Sequence, residues 1–534
     1  MKHPVLAFLL AAAVLPAATP QQELRAALEA RFLGDRTGVT VAAALVGDAT
    51  AEAIVSADAL HPARLDAHTA FEIGSVAKTM ASALVADLIL KGEASLDDPL
   101  SKYLPKEAKV PDFEGRPITL AHVLTHRSGL PSLPGRLRPE DDSNPFASLT
   151  PAQLLGSLED VRLDAAPGTR YRYSNFAMML LSGGLARRAG LDYEALLARD
   201  VFKPLGMEDA HIRRTGRNEA QGHASNGRPA GAWDFPVEMA GVGGVRASLA
   251  DMVRYVEAEL GRRESPITAA MRRTQTPLEA SMPPVAMNWM IVTVAGRKIL
   301  YHEGATGGFS SLVALDPDRR RGVVLLADTS LSNLGGLVPM GLSLLDGSVP
   351  SPGFPRRPVP PGSGLLEGMT GRYTLPGGTK IALWTKDGGL VAQIEGQPAL
   401  DLGFDSAGDF YALTLDAVLH PVRGTGGYSF FLRQGGGQVK AERVLADPMD
   451  EAALQRLVGK YRASDDFTVK VTRRGTLLYV QGTHQAEVLV EPVDKDIFQA
   501  PGAGAEFTFT RDGAGKVVAL VIRQNGLTVK AERR

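Results

Sequence analysis

The sequence predicts an α+β fold in its first part and two small antiparallel β domains in its last part. Strand-like patterns stand at both ends of residues 23–346, with apolar helical segments between them. This order favours one antiparallel sheet that both ends of the segment complete. Residues 347–364 are rich in proline and glycine and lack periodicity, which indicates a semi-rigid linker. The residues after this linker contain an internal repeat.

Residues 1–22 have the pattern of an export signal. Lys2 precedes an apolar run over residues 5–15, and small residues follow at Ala17 and Ala18. The run is too short to cross the roughly 30 Å of bilayer hydrocarbon, so a cleaved signal is favoured over a membrane anchor. We therefore expect a periplasmic or secreted protein with no stable membrane span once the signal is removed.

The elements of residues 23–346 follow from their periodicity. Val39–Val46 and Ala53–Val55 are expected to form a strand pair, and the almost wholly apolar Met80–Leu90 predicts a buried helix. Near the end of this part, SSLVALDP and RGVVLLAD flank a charged Asp-Pro turn, which predicts a hairpin. Strands at the two ends with helices between them are typical of an α+β domain.

The last part of the chain repeats itself once. Gly371–Tyr373 recurs as Gly459–Tyr461, and Val439–Arg443 recurs as Val529–Arg533, in the same order. Short alternating runs separated by Gly and Asp turns predict an antiparallel sheet or barrel in each unit, over residues 365–447 and 448–534. Neither unit carries a coherent catalytic set. Packing on or covering the first domain, and binding a ligand inside a small barrel, both remain open.

The composition limits the chemistry. The 534 residues include 58 Lys and Arg against 59 Asp and Glu, a net charge of -1, so there is no electrostatic case for a nucleic acid or an anionic membrane surface. Cysteine is absent from the sequence, which excludes disulfides, thiolate metal sites and a cysteine nucleophile. A nucleophile must therefore be Ser, Thr, Lys or a carboxylate.

The segment FEIGSVAK, which opens the predicted buried helix, carries the first candidate motif. It places Ser75 and Lys78 one turn apart on one helix face. A serine hydroxyl attacks poorly until a base takes its proton, and a lysine whose pKa is lowered by burial can do so. A helix N-terminus at Ser75 also offers backbone N–H groups to an oxyanion. A capping serine followed by a surface lysine gives the same spacing, but here the lysine falls in an apolar helix.

Two further motifs carry polar residues of the kind that a hydrolase uses. Tyr173-Ser174-Asn175 lies in a loop before another apolar helix; the tyrosine can relay a proton, and the asparagine can hold a lysine and a substrate amide. A loop tyrosine with a helix cap is the alternative interpretation.

The third motif, His302-Glu303-Gly304, stands at a strand edge before a glycine-rich turn. An edge strand can pair with a peptide-like substrate, and the glycine leaves space for close approach. His302 can orient a carboxylate or polarise the tyrosine, or it is simply a histidine at a strand end. Glu303 is expected to point away from the face of His302, because neighbours along a strand alternate.

Ser-x-x-Lys, then Tyr-x-Asn, then a His/Lys-x-Gly strand, in this order, resemble the serine hydrolases of the penicillin-binding-protein and class C β-lactamase group. The stretches LDDPLSKYL, ITLAHVLTHRSGLP and APGT are also similar to that family, and the resemblance covers roughly residues 24–345. It implies a β-lactamase/transpeptidase-like domain, in which an antiparallel sheet flanked by helices is joined to an all-helical subdomain. It also implies two-step acyl transfer through an acyl-enzyme, without a cofactor or metal.

The resemblance assigns expected roles to the motif residues. Ser75 would be the acylated nucleophile, Lys78 would accept its proton, and Tyr173 would be the general base or acid partner. Asn175 would hold the acyl-side amide of the substrate. The oxyanion would be bound by the backbone N–H groups of Ser75 and Ala305. His122 and His126 stand four residues apart but lack a third ligand, so no metal site is expected.

The sequence departs from the β-lactamase pattern in its third motif, which is His-Glu-Gly where those lactamases carry Lys-Thr-Gly. His-x-Gly is familiar in the D,D-peptidases, D-amino-acid aminopeptidases and esterases of the group, and the tail resembles the layout of D-aminopeptidases. We expect an exported serine hydrolase of D-amino-acid peptides, amides or small esters. The alternatives are a β-lactamase, a D,D-carboxypeptidase, or a non-catalytic sensor of cell-wall fragments. The expected partner is a small-molecule or peptide substrate, and a homo-oligomer is compatible with the sequence.

Overall fold

A computed structural model describes residues 18–58, 65–278, 283–347, 355–424, 427–444, 451–474, 477–494, 496–500, 504–524 and 527–534. Most of the predicted export signal, residues 1–17, and part of the predicted linker, residues 348–354, lie outside the described residues. Within the described ranges, no helix combines the length and the apolar character that a membrane span requires.

A six-stranded antiparallel sheet organises the first part of the chain, in the order β2-β1-β10-β9-β8-β7. The strands described before residue 347 are β1 (Thr40–Val46), β2 (Ala51–Ser56), β3 (Phe71–Glu72), β4 (Asp112–Phe113), β5 (Arg116–Pro117), β6 (Arg246–Ala247), β7 (Met290–Val294), β8 (Arg297–Ala305), β9 (Ser310–Asp316) and β10 (Arg321–Ala327). The pairing of β1 with β10 joins the first and last strands of this part, which confirms the predicted closure of the sheet by both ends. The predicted strand pair (β1 and β2) and the predicted hairpin (β9 and β10) are confirmed as well.

The sheet is buried on both faces. Along β1, Val41 and Ala43 enter one apolar core, whereas Ala42 and Ala44 enter another. This alternation follows from the two-residue period of a strand. It explains why the central strands carry runs of consecutive apolar residues rather than apolar residues at alternate positions only.

Helices supply the two cores that cover the sheet. They are α1 (Pro20–Phe32), α2 (Ala77–Leu90), α3 (Leu120–Leu124), α4 (Pro151–Glu159), α5 (Asn175–Ala189), α6 (Tyr193–Leu197), α7 (Lys203–Leu205), α8 (Leu249–Glu259), α9 (Thr268–Arg273) and α10 (Val338–Asp346). Helix α1 begins inside the range predicted for the export signal, where Thr19 and Gln22 form a capping box around Pro20. It packs on one face with α10, and the larger core on the other face joins helices α2 to α9.

The last part of the chain forms two closed eight-stranded barrels. A short helix precedes each of them, α11 (Ser363–Met369) and α12 (Glu451–Gln455). The first barrel comprises β11 (Gly371–Thr374), β12 (Lys380–Lys386), β13 (Gly389–Ile394), β14 (Leu400–Phe404), β15 (Phe410–Ala412), β16 (Ala417–Gly424), β17 (Gly427–Gln434) and β18 (Gly437–Arg443). The second comprises β19 (Gly459–Arg462), β20 (Thr468–Arg474), β21 (Leu477–Gly482), β22 (Val488–Asp494), β23 (Ile497–Ala500), β24 (Ala505–Arg511), β25 (Val517–Gln524) and β26 (Leu527–Arg533).

The repeated motifs meet each other where each barrel closes. Tyr373 pairs with Arg443 in the first barrel, and Tyr461 pairs with Arg533 in the second. Each tyrosine hydroxyl also donates to a backbone carbonyl four residues earlier, that of Met369 or of Leu457. The sequence repeat therefore marks the closure of each barrel, and the prediction of two small β domains is confirmed.

Candidate active site

Ser75 lies in a tight 3₁₀ turn, Gly74–Val76, immediately before α2. The turn follows β3, and Gly74 adopts a left-handed φ of 48°. A Cβ atom on Gly74 would lie 2.7 Å from the backbone nitrogen of Ala305, so only glycine allows this approach. Ser75 is partly exposed although the residues on both sides of it are buried. Its hydroxyl is therefore presented to the outside of a closely packed segment.

Lys78 is wholly buried at the start of α2. Its Nζ donates to Ser75 Oγ at 2.8 Å and to the carbonyl of Val242 at 2.5 Å. Burial lowers the pKa of Lys78 well below its ordinary value, because the charged ammonium loses its hydration. A neutral amine is thus favoured beside the serine hydroxyl, and such an amine can take the hydroxyl proton.

Tyr173 lies beside both Lys78 and Ser75. Its ring centroid is 5.0 Å from Lys78 Nζ, and its side chain is hydrogen bonded with Ser75. Burial raises the pKa of Tyr173 and outweighs the opposing effect of that hydrogen bond. The phenol is therefore neutral in the free site and suited to passing a proton on.

Asn175 is the first residue of α5, which confirms that the Tyr-x-Asn motif leads into an apolar helix. The side chain of Ser174 caps this helix by accepting from Ala177 N–H at 3.0 Å. Asn175 Oδ1 is buried and has no hydrogen-bond partner among the described residues. Because a buried amide oxygen without a partner is costly, this atom is available to an incoming N–H group.

His302 lies near the end of β8, and the predicted edge position needs correction. β8 lies between β7 and β9 in the sheet. However, β7 pairs only with Arg297–Tyr301, because β7 is shorter than its neighbour. Residues 302–305 extend beyond β7, and in the described part of the chain no strand pairs with them on that side. The open edge is therefore confined to the end of the strand that carries the motif.

The imidazole of His302 is buried and neutral. Its Nδ1 lies 2.9 Å from the carbonyl oxygen of Glu303, which can only accept, so Nδ1 carries the proton and Nε2 is an acceptor. Burial, together with the nearby Lys78, lowers the pKa of His302 to about 3. The Glu303 side chain turns away, as expected, and accepts from the Leu337 backbone N–H at 3.1 Å.

Gly304 and Ala305 bring β8 against the serine turn. A Cβ atom on Gly304 would lie 2.1 Å from the carbonyl oxygen of Ile73, and the Ser311 hydroxyl donates to that same oxygen at 2.7 Å. Ala305 itself is exposed. The backbone of Ala305 thus lies next to the residue that precedes Ser75, which is the arrangement needed for two backbone donors to reach one oxyanion.

The sequence interpretation missed His126, which lies beside the tyrosine. Its ring centroid is 4.1 Å from that of Tyr173, with the planes 34° apart. The sequence pairs it only with His122, four residues earlier, whose Nδ1 accepts from the Thr119 N–H at 3.1 Å. Across the residues that the structure describes, no three His, Asp or Glu side chains are grouped to hold a metal ion.

The structure therefore brings Ser75, Lys78, Tyr173 and Asn175 together with the end of β8, although the three motifs are far apart in the chain. The fold and this arrangement define a serine hydrolase.

Comparisons with known proteins agree with that class. The family model for beta-lactamase matches residues 25–336. The D-alanyl-D-alanine-carboxypeptidase/endopeptidase AmpH of Escherichia coli (strain K12) is 30% identical over 277 residues, which cover 48% of this chain and 70% of the relative. A beta-lactamase of the same strain is 27% identical over 307 residues, covering 50% of this chain and 77% of the relative.

Solved structures show the same fold. A class C beta-lactamase aligns with a TM-score of 0.53 at 20% identity, over 62% of this chain and 98% of that chain. The D-alanine carboxypeptidase AmpC from Burkholderia cenocepacia aligns with a TM-score of 0.50 at 25% identity, over 61% of this chain and 97% of that chain. The chain therefore belongs to the beta-lactamase family, and it is a serine hydrolase.

Proposed function

We propose that the chain is an exported serine hydrolase that forms an acyl-enzyme on Ser75 and cleaves amide or ester bonds. The observation that carries this proposal is the position of Ser75 Oγ, which is 2.8 Å from the buried Nζ of Lys78 and hydrogen bonded with Tyr173. A hydroxyl that is hydrogen bonded with both an amine of lowered pKa and a neutral phenol has a proton acceptor and a proton relay.

The proposed reaction begins with transfer of the Ser75 hydroxyl proton to the neutral Nζ of Lys78. As Oγ bonds to the substrate carbonyl carbon, the carbonyl oxygen becomes an oxyanion, and the N–H groups of Ser75 and Ala305 stabilise it. The bond to the leaving amine or alcohol then breaks, and the leaving group receives a proton through Tyr173 from the Lys78 ammonium. Water repeats the sequence on the acyl-enzyme, releasing the acid and restoring the serine.

Asn175 and β8 are proposed to hold the substrate. The free, buried Asn175 Oδ1 is suited to accept from an amide N–H on the acyl side. The end of β8 beyond β7 offers backbone groups to an extended substrate. Because these groups recognise a peptide-like backbone, an amide of an amino acid fits the site well.

The third motif favours a D-amino-acid peptide, amide or small ester over a β-lactam. With a pKa of about 3, His302 is neutral at working pH and supplies no cation for a substrate carboxylate. The name of the relative AmpH, a D-alanyl-D-alanine-carboxypeptidase/endopeptidase, supports a substrate that contains D-amino acids, and it also supports the D,D-carboxypeptidase of the second candidate. A β-lactamase or a D,D-carboxypeptidase is the second candidate, and a non-catalytic sensor of cell-wall fragments is the third.

The first test is labelling with a fluorophosphonate probe, followed by mass spectrometry. We expect one label per chain, carried by the peptide that contains Ser75 and absent from Ser75→Ala. A folded wild-type protein that takes no label, or a Ser75→Ala variant that labels equally, would contradict the proposal and favour the sensor.

A panel of four substrate classes separates the enzymatic candidates: p-nitrophenyl esters, D-aminoacyl amides, D-Ala-D-Ala peptides and a β-lactam. We expect turnover of the first two classes at kcat/KM values above that for the β-lactam. A preference for the β-lactam would identify a lactamase instead. Export is tested by recovery of the mature chain outside the cytoplasm with an N-terminus near Ala17 or Ala18.

A further inference from the structure

The backbone on both sides of Tyr173 is bonded to one residue, His126. The N–H of Arg172 donates to the His126 carbonyl at 2.7 Å, and the N–H of Ser174 donates to His126 Nδ1 at 3.2 Å. The next anchor is Ser132, whose carbonyl accepts from Asn175 N–H at 2.9 Å. His126 therefore holds the residue before and the residue after the phenol, by its main chain and its side chain respectively.

His126 holds these bonds in an uncommon conformation. Helix α3 ends at Leu124, and His126 follows with a φ of 55°. A residue with a Cβ atom is strained in this left-handed region. Such strain persists only where the surrounding contacts determine it, and it is found preferentially at functional sites. Here the left-handed turn directs both the carbonyl and the imidazole of His126 toward the tyrosine loop.

The imidazole also packs directly on the phenol. The two ring centroids are 4.1 Å apart, and His126 is only 1% exposed. Since Nδ1 accepts from a backbone N–H, the proton of the neutral ring lies on Nε2, which has no hydrogen-bond partner among the described residues. Burial and the nearby Lys78 and His302 lower the pKa of His126, so the ring stays neutral and Nδ1 remains an acceptor.

We propose that His126 is a positioning residue of the hydrolytic reaction, which fixes the Tyr173 hydroxyl against Ser75 by stacking on the phenol and by bonding the backbone on both sides of it. This inference rests on the role proposed above for Tyr173. His126 does not exchange protons with the substrate in this account. It removes the freedom of the phenol to move away from the hydroxyl to which it relays protons.

The consequence for kinetics is specific. A loosened phenol impairs proton transfer but leaves Asn175 and β8 in place to bind substrate. The rate of the chemical step should therefore fall while KM stays nearly unchanged. Displacement of a catalytic group by about 1 Å lowers a rate by about a hundredfold, which sets the size of the effect to look for.

Two substitutions separate the contribution of the His126 ring from that of its Nδ1 acceptor. The replacements, glycine and asparagine, both tolerate the left-handed backbone at this position. His126→Gly removes the ring and the Nδ1 acceptor. His126→Asn removes the ring but retains an acceptor for Ser174 N–H. With p-nitrophenyl acetate, we expect kcat to fall by about a hundredfold in His126→Gly and by about tenfold in His126→Asn. KM should change by less than about twofold in both.

The fraction of chains labelled by the fluorophosphonate probe serves as the count of folded sites, and His122→Asn is the matched control with kcat unchanged. If the labelled fraction falls while kcat per labelled site stays at the wild-type value, His126 is needed only for folding and the proposal is overturned. A kcat within about twofold of wild type in His126→Asn also overturns the proposal. This second criterion needs only His126→Asn, so it still applies if His126→Gly does not fold. An inactive, unlabelled wild type would instead contradict the proposed function.

Discussion

At the scale of single residues, the site is a set of groups that burial keeps neutral. Loss of hydration lowers the pKa of Lys78 and of His302 and raises that of Tyr173. The charged form of each group is the form that is destabilised. The neutral amine of Lys78 can therefore accept the Ser75 proton directly. A charged ammonium would first have to lose a proton of its own. The burial of the site thus serves its proposed chemistry.

The lowered pKa of Lys78 predicts the pH dependence of the reaction. Its neutral amine is the proposed acceptor, so kcat/KM should rise with pH and level off at a pH well below 10.5, the ordinary value for lysine. Lys78→Met removes the acceptor and should lower acylation by about 10²- to 10⁴-fold. Lys91→Arg, at the exposed end of the same helix, should leave the profile unchanged. An acid limb that persists unaltered in Lys78→Met would assign the titration to another group.

The lowered pKa of Lys78 also predicts how the free energy of unfolding depends on pH, and proton linkage gives the sign of this dependence. Unfolded Lys78 binds a proton more tightly than the buried side chain does. The unfolded chain therefore holds more protons, and the free energy of unfolding should rise with pH between the lowered pKa and 10.5. Lys78→Met should abolish this part of the rise and stabilise the fold below that range. Urea unfolding at several pH values measures it, and a Lys78→Met variant whose free energy of unfolding rises with pH as steeply as that of the wild type would contradict it.

At the scale of elements, the sequence predicted what periodicity controls and missed what tertiary contacts control. The apolar period of two located β9 and β10, and the apolar run located α2. The left-handed turn at His126 was not predictable, because it depends on bonds to a loop more than forty residues later. The sequence indicates a strand edge at β8 but not its extent, because the extent depends on where β7 ends.

The contact between β8 and the serine turn gives a prediction of its own. In Gly304→Ala, the added Cβ would lie 2.1 Å from the Ile73 carbonyl oxygen, so β8 and the turn must separate. The two proposed oxyanion donors then move apart, and acylation should slow by about a hundredfold, with about 1–3 kcal/mol of stability lost. The matched control is Gly135→Ala, because a Cβ there meets no atom within 4 Å. Stopped-flow labelling measures the acylation rate. A wild-type rate in Gly304→Ala would show that the contact between β8 and the serine turn does not determine the positions of the two oxyanion donors.

At the scale of the whole molecule, the barrels are attached in series. The first barrel packs on the hydrolase part, where Val418 joins the same core as α1. The second barrel contacts the first, for example from Arg474 to the Thr385 hydroxyl at 3.2 Å. For the part of the chain after the linker, we propose two domains with the predicted limits 365–447 and 448–534. Their order suggests that the first barrel, not the second, is coupled to the active site.

The first barrel contacts the segment that contains Ser225 and Asn226. Ser225 bonds to Asp416, and the Asn226 amide donates to the Leu415 carbonyl at 3.2 Å. Two residues before Ser225, the N–H of His223 donates to the carbonyl of Gly308 at 3.0 Å, in the turn that follows β8. We therefore expect the barrel to support the strand that carries the third motif. Of the two roles that the sequence leaves open for the barrel, these contacts favour packing on the first domain over ligand binding.

A buried ion pair at this interface provides the sharpest test of the coupling. Arg36 Nε lies 2.8 Å from Asp405 Oδ2 with both side chains buried, and the Arg36 guanidinium stacks on Tyr411 at 3.6 Å. Asp405→Asn leaves the arginine charge buried without its partner and should cost about 3–5 kcal/mol. Asp401→Asn is the matched control in the same barrel, because its pair with Lys386 is exposed and should contribute less than about 1 kcal/mol.

We expect urea unfolding to show the loss of stability in Asp405→Asn, and ester hydrolysis to show a loss of activity. Equal stability of the two variants would show that the barrel is not held by this pair, and unchanged kcat in a destabilised Asp405→Asn would show that the barrel stabilises the hydrolase without supporting its site.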